Sequence, residues 1–494
     1  MGFKLKDWHF RGALLVLAVF SLTALILSLV GINNVAQPVG KRYGMVFDAG
    51  SSHTSLFVYR WPADKENNTG LVSQAFSCHV NGSGISSYAS HPPKAGDSLR
   101  ECLNEAMMVI PPGQHRETPA YLGATAGMRL LRMENESLSN EVLKAVGETI
   151  QKYPVSFRGA QIISGEDEGA YGWITINYLL DSFTKYSAQD QDWIHPSSAN
   201  ILGALDLGGA STQISFVPAS HIADPAEAAQ FRLYGFNYTI YTHSYLCYGQ
   251  NEALQQVIGI IVNSSSAEEV SHPCYPIGYK ELVRTVDLFS SPCTEKLGWP
   301  ASSRNVTLVG AGNATLCREA VKKIFSFSNC SHNDSCSFNG IYQPKVNGKF
   351  LAFSAYYYTF HFLNLTEGYP LATAEAAIET FCARTWNELK SSYSDEEERR
   401  LKNYCASANY ILTLLLDGYG FDKDTWGNIA FRMKAADSEI GWSLGYMLNL
   451  TNMIPSENPR RLRGHEEGVW VASVFFIALS LAVCLILAVL HFLR

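Results

Sequence analysis

The stretch "VFDAGSSHTSLFV", residues 46–58, begins as a buried strand, then breaks into an acid, a glycine and small hydroxyl residues before apolar residues return. The chain writes this turn a second time as "ALDLGGASTQISF", residues 204–216. Asp48 aligns with Asp206, Gly50 with Gly208 and Thr54 with Thr212. Either copy alone reads as a Gly/Ser hairpin turn. Written twice, the pattern predicts two related halves, each with a strand ending in an acid beside a sharp bend. Glycine permits the bend where a Cβ would obstruct. Successive backbone N–H groups in such a turn form a concavity suited to anions. Ser51, Ser52, His53 and Thr54 add side-chain donors to the first copy, and Ser211 and Thr212 to the second. Two such turns facing each other would grip neighbouring phosphates. Asp48 and Asp206 suit a hard divalent cation, directly or through bound water.

Two further stretches carry chemistry. "YLGATAGMRLL" (121–131) places Thr125 at a strand-end turn between Gly123 and Gly127. "ISGEDEGAYGWITINYL" (163–179) sets Glu166, Asp167 and Glu168 just after an apolar strand. Hydrolysis of a phosphoanhydride needs a group that orients water and accepts its proton. Glu168, at the start of an apolar helical run, is placed to do this. Helix capping is the plainer reading of the same residue. Ser211 has no His or Cys near it in sequence to activate it as a covalent nucleophile.

The 494 residues are 47% hydrophobic and 17% charged, with a formal net charge of -7. No basic cluster exceeds "RRLR" at 460–463, which argues against nucleic acid as a partner. Residues 13–32 and 469–490 carry no charge, and each reaches the ~20 residues needed to cross a bilayer. The first run is longer than the ~7–15-residue core of a signal peptide and lacks a clear cleavage site, so a retained anchor is expected. Lys4, Lys6 and Arg11 put residues 1–12 in the cytoplasm, with 491–494 as a cytoplasmic tail. Eleven Asn-x-Ser/Thr sequons (Asn67, Asn81, Asn135, Asn237, Asn263, Asn305, Asn313, Asn329, Asn333, Asn364, Asn449) all lie between the apolar runs. That confinement points to a lumenal or extracellular body. Ten of the 11 cysteines lie there too, and Cys484 lies in the second apolar run. An even number in an oxidising compartment predicts five disulfides. Short loop closure favours Cys78–Cys102 and Cys330–Cys336 and leaves the remaining pairings open.

Between the anchors, strand-like runs ("GMVFDAG", "AYLGATAG", "ILGALDLGGAST") alternate with helical ones, among them the amphipathic 137–153. The expected fold is α/β with mixed sheets. Residues 395–404, with alternating charge, read as a solvated helix face.

Five stretches together, "VFDAGSSHT", "YLGATAGMRLL", "ISGEDEGAYGWITINYL", "GALDLGGASTQISF" and "IGWSLGYMLNLT" (440–451), resemble the five apyrase regions of the ecto-nucleoside triphosphate diphosphohydrolases. Both anchors and the ten-cysteine body are similar to the cell-surface branch of that family. The resemblance implies an actin/hexokinase-like ATPase fold with two ribonuclease-H-like lobes and a cleft between. Lobe I would span 38–164 with 437–462 returning to it, and lobe II 165–436. It implies extracellular hydrolysis of nucleoside tri- and diphosphates (ATP, ADP, UTP, UDP) to monophosphate with Ca2+ or Mg2+, at the plasma membrane. Glu168 would be the base, with Ser211 and Gln213 holding the attacking water. Ser51, Ser52, His53 and Thr54, and Gly208, Gly209, Ala210 and Ser211, would bind phosphate. Asp48, Asp206 and Thr125 would hold the metal, mainly through water. Tyr358 and Arg400 would sandwich the base, which replaces the solvated-face reading of Arg400. Tyr356 and Tyr357 beside Tyr358 leave the stacking register open. The implied disulfides are Cys78–Cys102, Cys247–Cys293, Cys274–Cys317, Cys330–Cys336 and Cys382–Cys405. Small residues of the first anchor (Gly12, Ala13, Ala18, Ser21, Ala24) would let copies pair as a homo-oligomer; simple tethering is the alternative. Rival readings are a phosphotransferase of the same fold using a non-water acceptor, and a non-enzymatic membrane glycoprotein.

Overall fold

The repeated turn reappears as a repeated topology. The computed structural model describes residues 2–29, 33–36, 40–63, 72–183, 185–187, 192–194, 201–234, 236–298, 303–327, 336–436, 438–453, 461–465 and 467–492. Strands β1 (Lys41–Ala49), β2 (Thr54–Pro62), β3 (Ser73–His79), β4 (Pro119–Ala124) and β5 (Ser156–Ile162) form one sheet in the order β3-β2-β1-β4-β5. Strands β6 (Gly203–Leu207), β7 (Ser211–Phe216), β8 (Ala228–Leu233) and β9 (Phe236–Leu246) belong to a second. After a three-stranded insertion of β10 (Glu269–His272), β11 (Lys280–Arg284) and β12 (Asn305–Gly310), it is completed by β13 (Phe350–Ser354) and β14 (Ile429–Phe431). Its order is β8-β9-β7-β6-β13-β14. In each sheet an antiparallel hairpin leads (β1/β2; β6/β7), antiparallel strands extend it (β3 in the first, β9 and β8 in the second), and two parallel strands complete the other side. The parallel strands need crossovers, so helices cover the sheets and the body is mixed α/β.

On the first sheet, α1 (Ala126–Glu134) and α2 (Glu136–Ile150) follow β4. The helix expected over 137–153 is α2. It is capped by the Asn135 side chain, which accepts from Leu138 N, and Val142, Val146 and Ile150 face inward. Between the sheets lies α3 (Gly165–Leu179), capped by Ser164, whose hydroxyl accepts from Asp167 N at 3.0 Å. Glu166, Asp167 and Glu168 occupy its first turn, where the helix dipole favours negative charge. In the second half of the chain follow α4 (Gln250–Asn263), α5 (Ala355–Phe362), α6 (Glu398–Leu401) and α7 (Tyr404–Thr413). Residues 395–404 hold the single turn α6 and the first residue of α7, not one continuous helix.

The last helix of the body, α8 (Trp442–Met453), packs on α3 and touches β1 and β2. The two helices meet almost backbone to backbone: a Cβ added to Gly445 would lie 2.0 Å from the Tyr171 carbonyl. Thr175 Oγ1 donates to Gly441 O and accepts from Gly445 N, closing the contact. Trp173, Ile174, Trp442, Leu444 and Met447 fill the core here, together with Val46 and Tyr59 of the first sheet and Leu351 and Phe353 of the second.

Four disulfides match the expected pairings: Cys78–Cys102, Cys247–Cys293, Cys274–Cys317 and Cys382–Cys405. Cys330 lies outside the described residues, as do the sequons Asn67, Asn329 and Asn333. The chain divides into the body, residues 41–455, and a unit made of residues 1–40 and 456–494. In the latter, helices Gly2–Leu29 and Glu467–Phe492 pack together, with Phe20 against Phe476 and Ser21 against Ser480. Spans long and apolar enough to cross a bilayer run Phe10–Leu29 and Glu467–Leu487. Part of the small-residue stripe is thus taken up within the chain.

Candidate active site

Both repeated turns are hairpins whose strands carry the acids at matching places. Asp48 pairs across to Ser55 on β2, and Asp206 to Gln213 on β7. Residues 50–53 link β1 to β2, and 208–210 link β6 to β7. The second turn is braced by the N-terminus of α4, where Gln250 N donates to Gly208 O and Asn251 N to Gly209 O, each at 2.8 Å. The two turns face each other. A Cβ placed on Gly209 would sit 2.6 Å from Ser51 Oγ and 3.5 Å from Ser52 Oγ. Ser52 and His53 are exposed, while Thr54, Ala210 and Ser211 are buried. The Thr54 hydroxyl is buried without a hydrogen-bond partner.

Glu168 is 7% exposed and sits where α3 meets these turns. Its Oε2 accepts from Gln213 Nε2 at 3.1 Å and is ion-paired with Arg129 Nη2. Gln213 Nε2 also reaches Ser211 Oγ at 2.8 Å and Ser244 Oγ at 3.0 Å. Arg129 Nη2 donates to Ser211 Oγ at 3.2 Å and Arg129 Nη1 to Ser244 Oγ at 3.4 Å. Gln213 Oε1 is buried with no partner. Glu168 and this amide oxygen thus leave acceptor capacity side by side in the site. Thr125 follows the end of β4; its N–H donates to Ala49 O at 3.1 Å, tying it to the end of β1, and its hydroxyl does not cap α1.

Burial raises the proton affinity of all three carboxyl groups, and the charge of Asp206 adds to the rise at Asp48 and Glu168. Burial pushes Glu168 up to about 8; Arg129 opposes, and Asp206 and Asp48 add to the rise. Burial raises Asp48 to about 7, reinforced by Asp206. The Trp442 indole N–H, close by without completing a hydrogen bond, offsets part of that. Burial raises Asp206 to about 6 against the pull of the Ser354 hydroxyl and Leu207 N–H. Desolvated like charges of this kind call for a cation. Among the described residues, no three His, Cys, Asp or Glu side chains gather closely enough to ligate an ion directly. The desolvated Asp48 and Asp206 carboxyls fit a cation held through its water shell better than one ligated directly.

Farther along the second half, Tyr358 on α5 is 56% exposed. Tyr356, two residues earlier, is fully buried against Thr212. Arg400 on α6 is near enough to Tyr358 to oppose the burial that raises its hydroxyl. Tyr357 meets Tyr358 edge-on at 5.6 Å.

The structure adds Arg129, Ser244, Trp442 and Ser354 to the expected set. Arg129 lies inside a quoted motif, and an arginine set among the small and apolar residues of Ala126–Leu131 was its signal. Ser244, on β9, has none.

The model of the GDA1/CD39 (nucleoside phosphatase) family matches residues 34–464. Ectonucleoside triphosphate diphosphohydrolase 8 of Bos taurus is 51% identical over 485 residues, 98% of both chains. The human protein of that name is 49% identical over 97% of both. Ectonucleoside triphosphate diphosphohydrolase 2 of Mus musculus is 47% identical over 96% of this chain and 95% of its own. Among solved structures, nucleoside triphosphate hydrolases from Neospora caninum share the fold, with a TM-score of 0.56, 14% identity, and 84% of this chain and 93% of that one covered. The chain belongs to the GDA1/CD39 nucleoside phosphatase family and within it to the ectonucleoside triphosphate diphosphohydrolases, enzymes that hydrolyse nucleoside tri- and diphosphates.

Proposed function

We propose that this chain is a type-8, cell-surface member of that family, acting by direct attack of water on the terminal phosphate. The single observation that carries the mechanism is the buried Glu168 carboxylate, hydrogen-bonded to Gln213 and flanked by Ser211 between the two turns. Ser51–Thr54 hold one phosphate and Gly208–Ser211 its neighbour. Glu168 takes the proton of the water that Ser211 and Gln213 orient. Positioning and fixed charge do most of the work, so no covalent intermediate is needed. A bound Ca2+ or Mg2+, held by Asp48, Asp206 and Thr125 through water, would neutralise charge on the phosphate oxygens.

Tyr358 and Arg400 clasp the base. Lobe I is residues 38–164 with 437–462, and lobe II 165–436. The two apolar helices anchor the protein in the plasma membrane with the body outside, and copies pair through them or are simply tethered. The higher identity to type-8 than to type-2 relatives supports the finer assignment.

Intact cells expressing the chain, given ATP or ADP with calcium, should release phosphate into the medium and stop on chelation. Glu168→Ala at equal surface level should lose most of that release. Near-normal turnover in the variant would refute Glu168 as the base. Free phosphate that falls as an alcohol acceptor is added, while ADP still forms and phosphorylated acceptor accumulates, would favour a phosphotransferase.

A further inference from the structure

A cluster that the phosphate chemistry does not use lies beneath Arg400. The arginine itself is loosely held: its side chain is 60% exposed, and Glu396 and Glu397 approach it only at 3.9 and 3.6 Å. Exposed pairs of that kind contribute little and do not define a position. Its neighbours point the other way. Leu401 is buried, and the Lys402 side chain is 13% exposed. Lys402 Nζ lies 2.6 Å from Glu281 Oε1 on β11, and Glu281 Oε2 accepts the Tyr275 hydroxyl at 2.9 Å. The same ammonium stands 5.5 Å from the centroid of the Tyr275 ring and 5.7 Å from that of Tyr279.

The footing is rigid. Tyr275 is buried and stacked on His272 at 3.9 Å, and the adjacent Cys274 is bonded to Cys317. A second tie joins the two arms of the base site. Tyr404, four residues after Arg400, stacks face to face on Phe362 at 3.6 Å and 5°. Phe362 is four residues after Tyr358 on α5, one helical turn away. Removing one partner of a largely buried ion pair leaves the other charge uncompensated, so the Lys402 pair resists displacement. The cation over two aromatic faces adds to it.

We propose that Lys402, held by Glu281 and the Tyr275 and Tyr279 rings, is a positioning residue that sets where Arg400 meets the nucleobase. It therefore governs affinity for nucleotides as against base-free polyphosphates. This rests on the reading of Tyr358 and Arg400 as the base-binding pair.

The test compares KM for ATP with the inhibition constant of tripolyphosphate, which has phosphates and no base. Lys402→Met should raise KM for ATP about five- to tenfold, leave kcat within about twofold and leave tripolyphosphate binding unchanged. Lys402→Arg, which keeps the charge, should recover most of the ATP affinity. In an Arg400→Ala background, Lys402→Met should change nothing further. Equal loss of ATP and tripolyphosphate binding, or unchanged KM for ATP beside a clear effect of Arg400→Ala, would overturn the proposal alone. If Arg400→Ala itself leaves the ATP-to-tripolyphosphate ratio unchanged, the base-site reading fails and this inference with it. Should Lys402→Met not fold, the double variant Lys402→Met/Glu281→Gln, which strands no charge, carries the same comparison.

Discussion

Gly209 of the second turn lies directly against Ser51 of the first, with no room for a β-carbon between them. The gap that would receive a polyphosphate is therefore defined by backbone on one side and by a small side chain on the other. Gly209→Val should lower kcat/KM at least tenfold while the melting temperature moves by only about a few degrees. Steady-state kinetics and a thermal melt on the same preparation decide it; normal kinetics would mean the turns do not form a shared cradle. Gly445→Ala should do the reverse, because its Cβ meets the Tyr171 backbone and nothing in the site. A loss of about 1–3 kcal/mol is expected from overpacking there.

Asp48, Asp206 and Glu168 hold their protons more tightly in the fold than unfolded, up to about 7, 6 and 8. Their ordinary values are 3.8 and 4.5, so between these limits the folded metal-free protein binds protons that the unfolded chain has released. Their stabilising contribution is complete below the unfolded values and lost as pH rises through the folded ones. Chelated protein should melt lower at pH 8 than at pH 5.5, and added Ca2+ or Mg2+ should raise the melting temperature more at pH 8. A chelated protein that gained stability over this interval would contradict the buried carboxylate cluster.

Arg129 joins Glu168, Ser211 and Ser244 through one guanidinium. An ammonium cannot span that fork. Arg129→Lys should cut kcat roughly 10²-fold, a loss of the scale seen when a preorganised donor is removed, with little change in KM. A change confined to KM would assign Arg129 to substrate binding instead.

Tyr358 offers an open ring, whereas Tyr356 is fixed inside by Thr212. Stacking is tolerant because every base has a π-face. Tyr358→Ala should raise KM for ATP and UTP by similar factors, about fivefold or more. Tyr356→Phe should leave both KM values close to normal. A purine-only effect in the first variant would mean hydrogen bonds, not stacking, select the base.

Much of this was legible along the chain because it depends on short-range backbone requirements. A strand that ends in an acid and bends at glycine must be written locally, so both hairpins and Asp48 and Asp206 could be read directly. Three acids before an apolar helical run mark the start of α3 for the same reason, and with it Glu168. An uncharged run long enough for a bilayer is equally local. What no stretch carried is which distant residues arrive together. Arg129 meets Glu168 because β4 and β1 run parallel and α1 follows β4 into the site. Ser244 joins them only because β9 pairs with β7. Trp442 reaches Asp48 because α8 crosses back to the first sheet near the end of the body. Which of three consecutive tyrosines lies buried and which stays open depends on how α5 seats on the core, with Tyr356 inside against Thr212 and Tyr358 exposed. Sequence specifies turns, caps and apolar runs, since their energetics involve neighbours in the chain. Strand pairing and helix packing decide the site, since their contacts join residues tens to hundreds of positions apart.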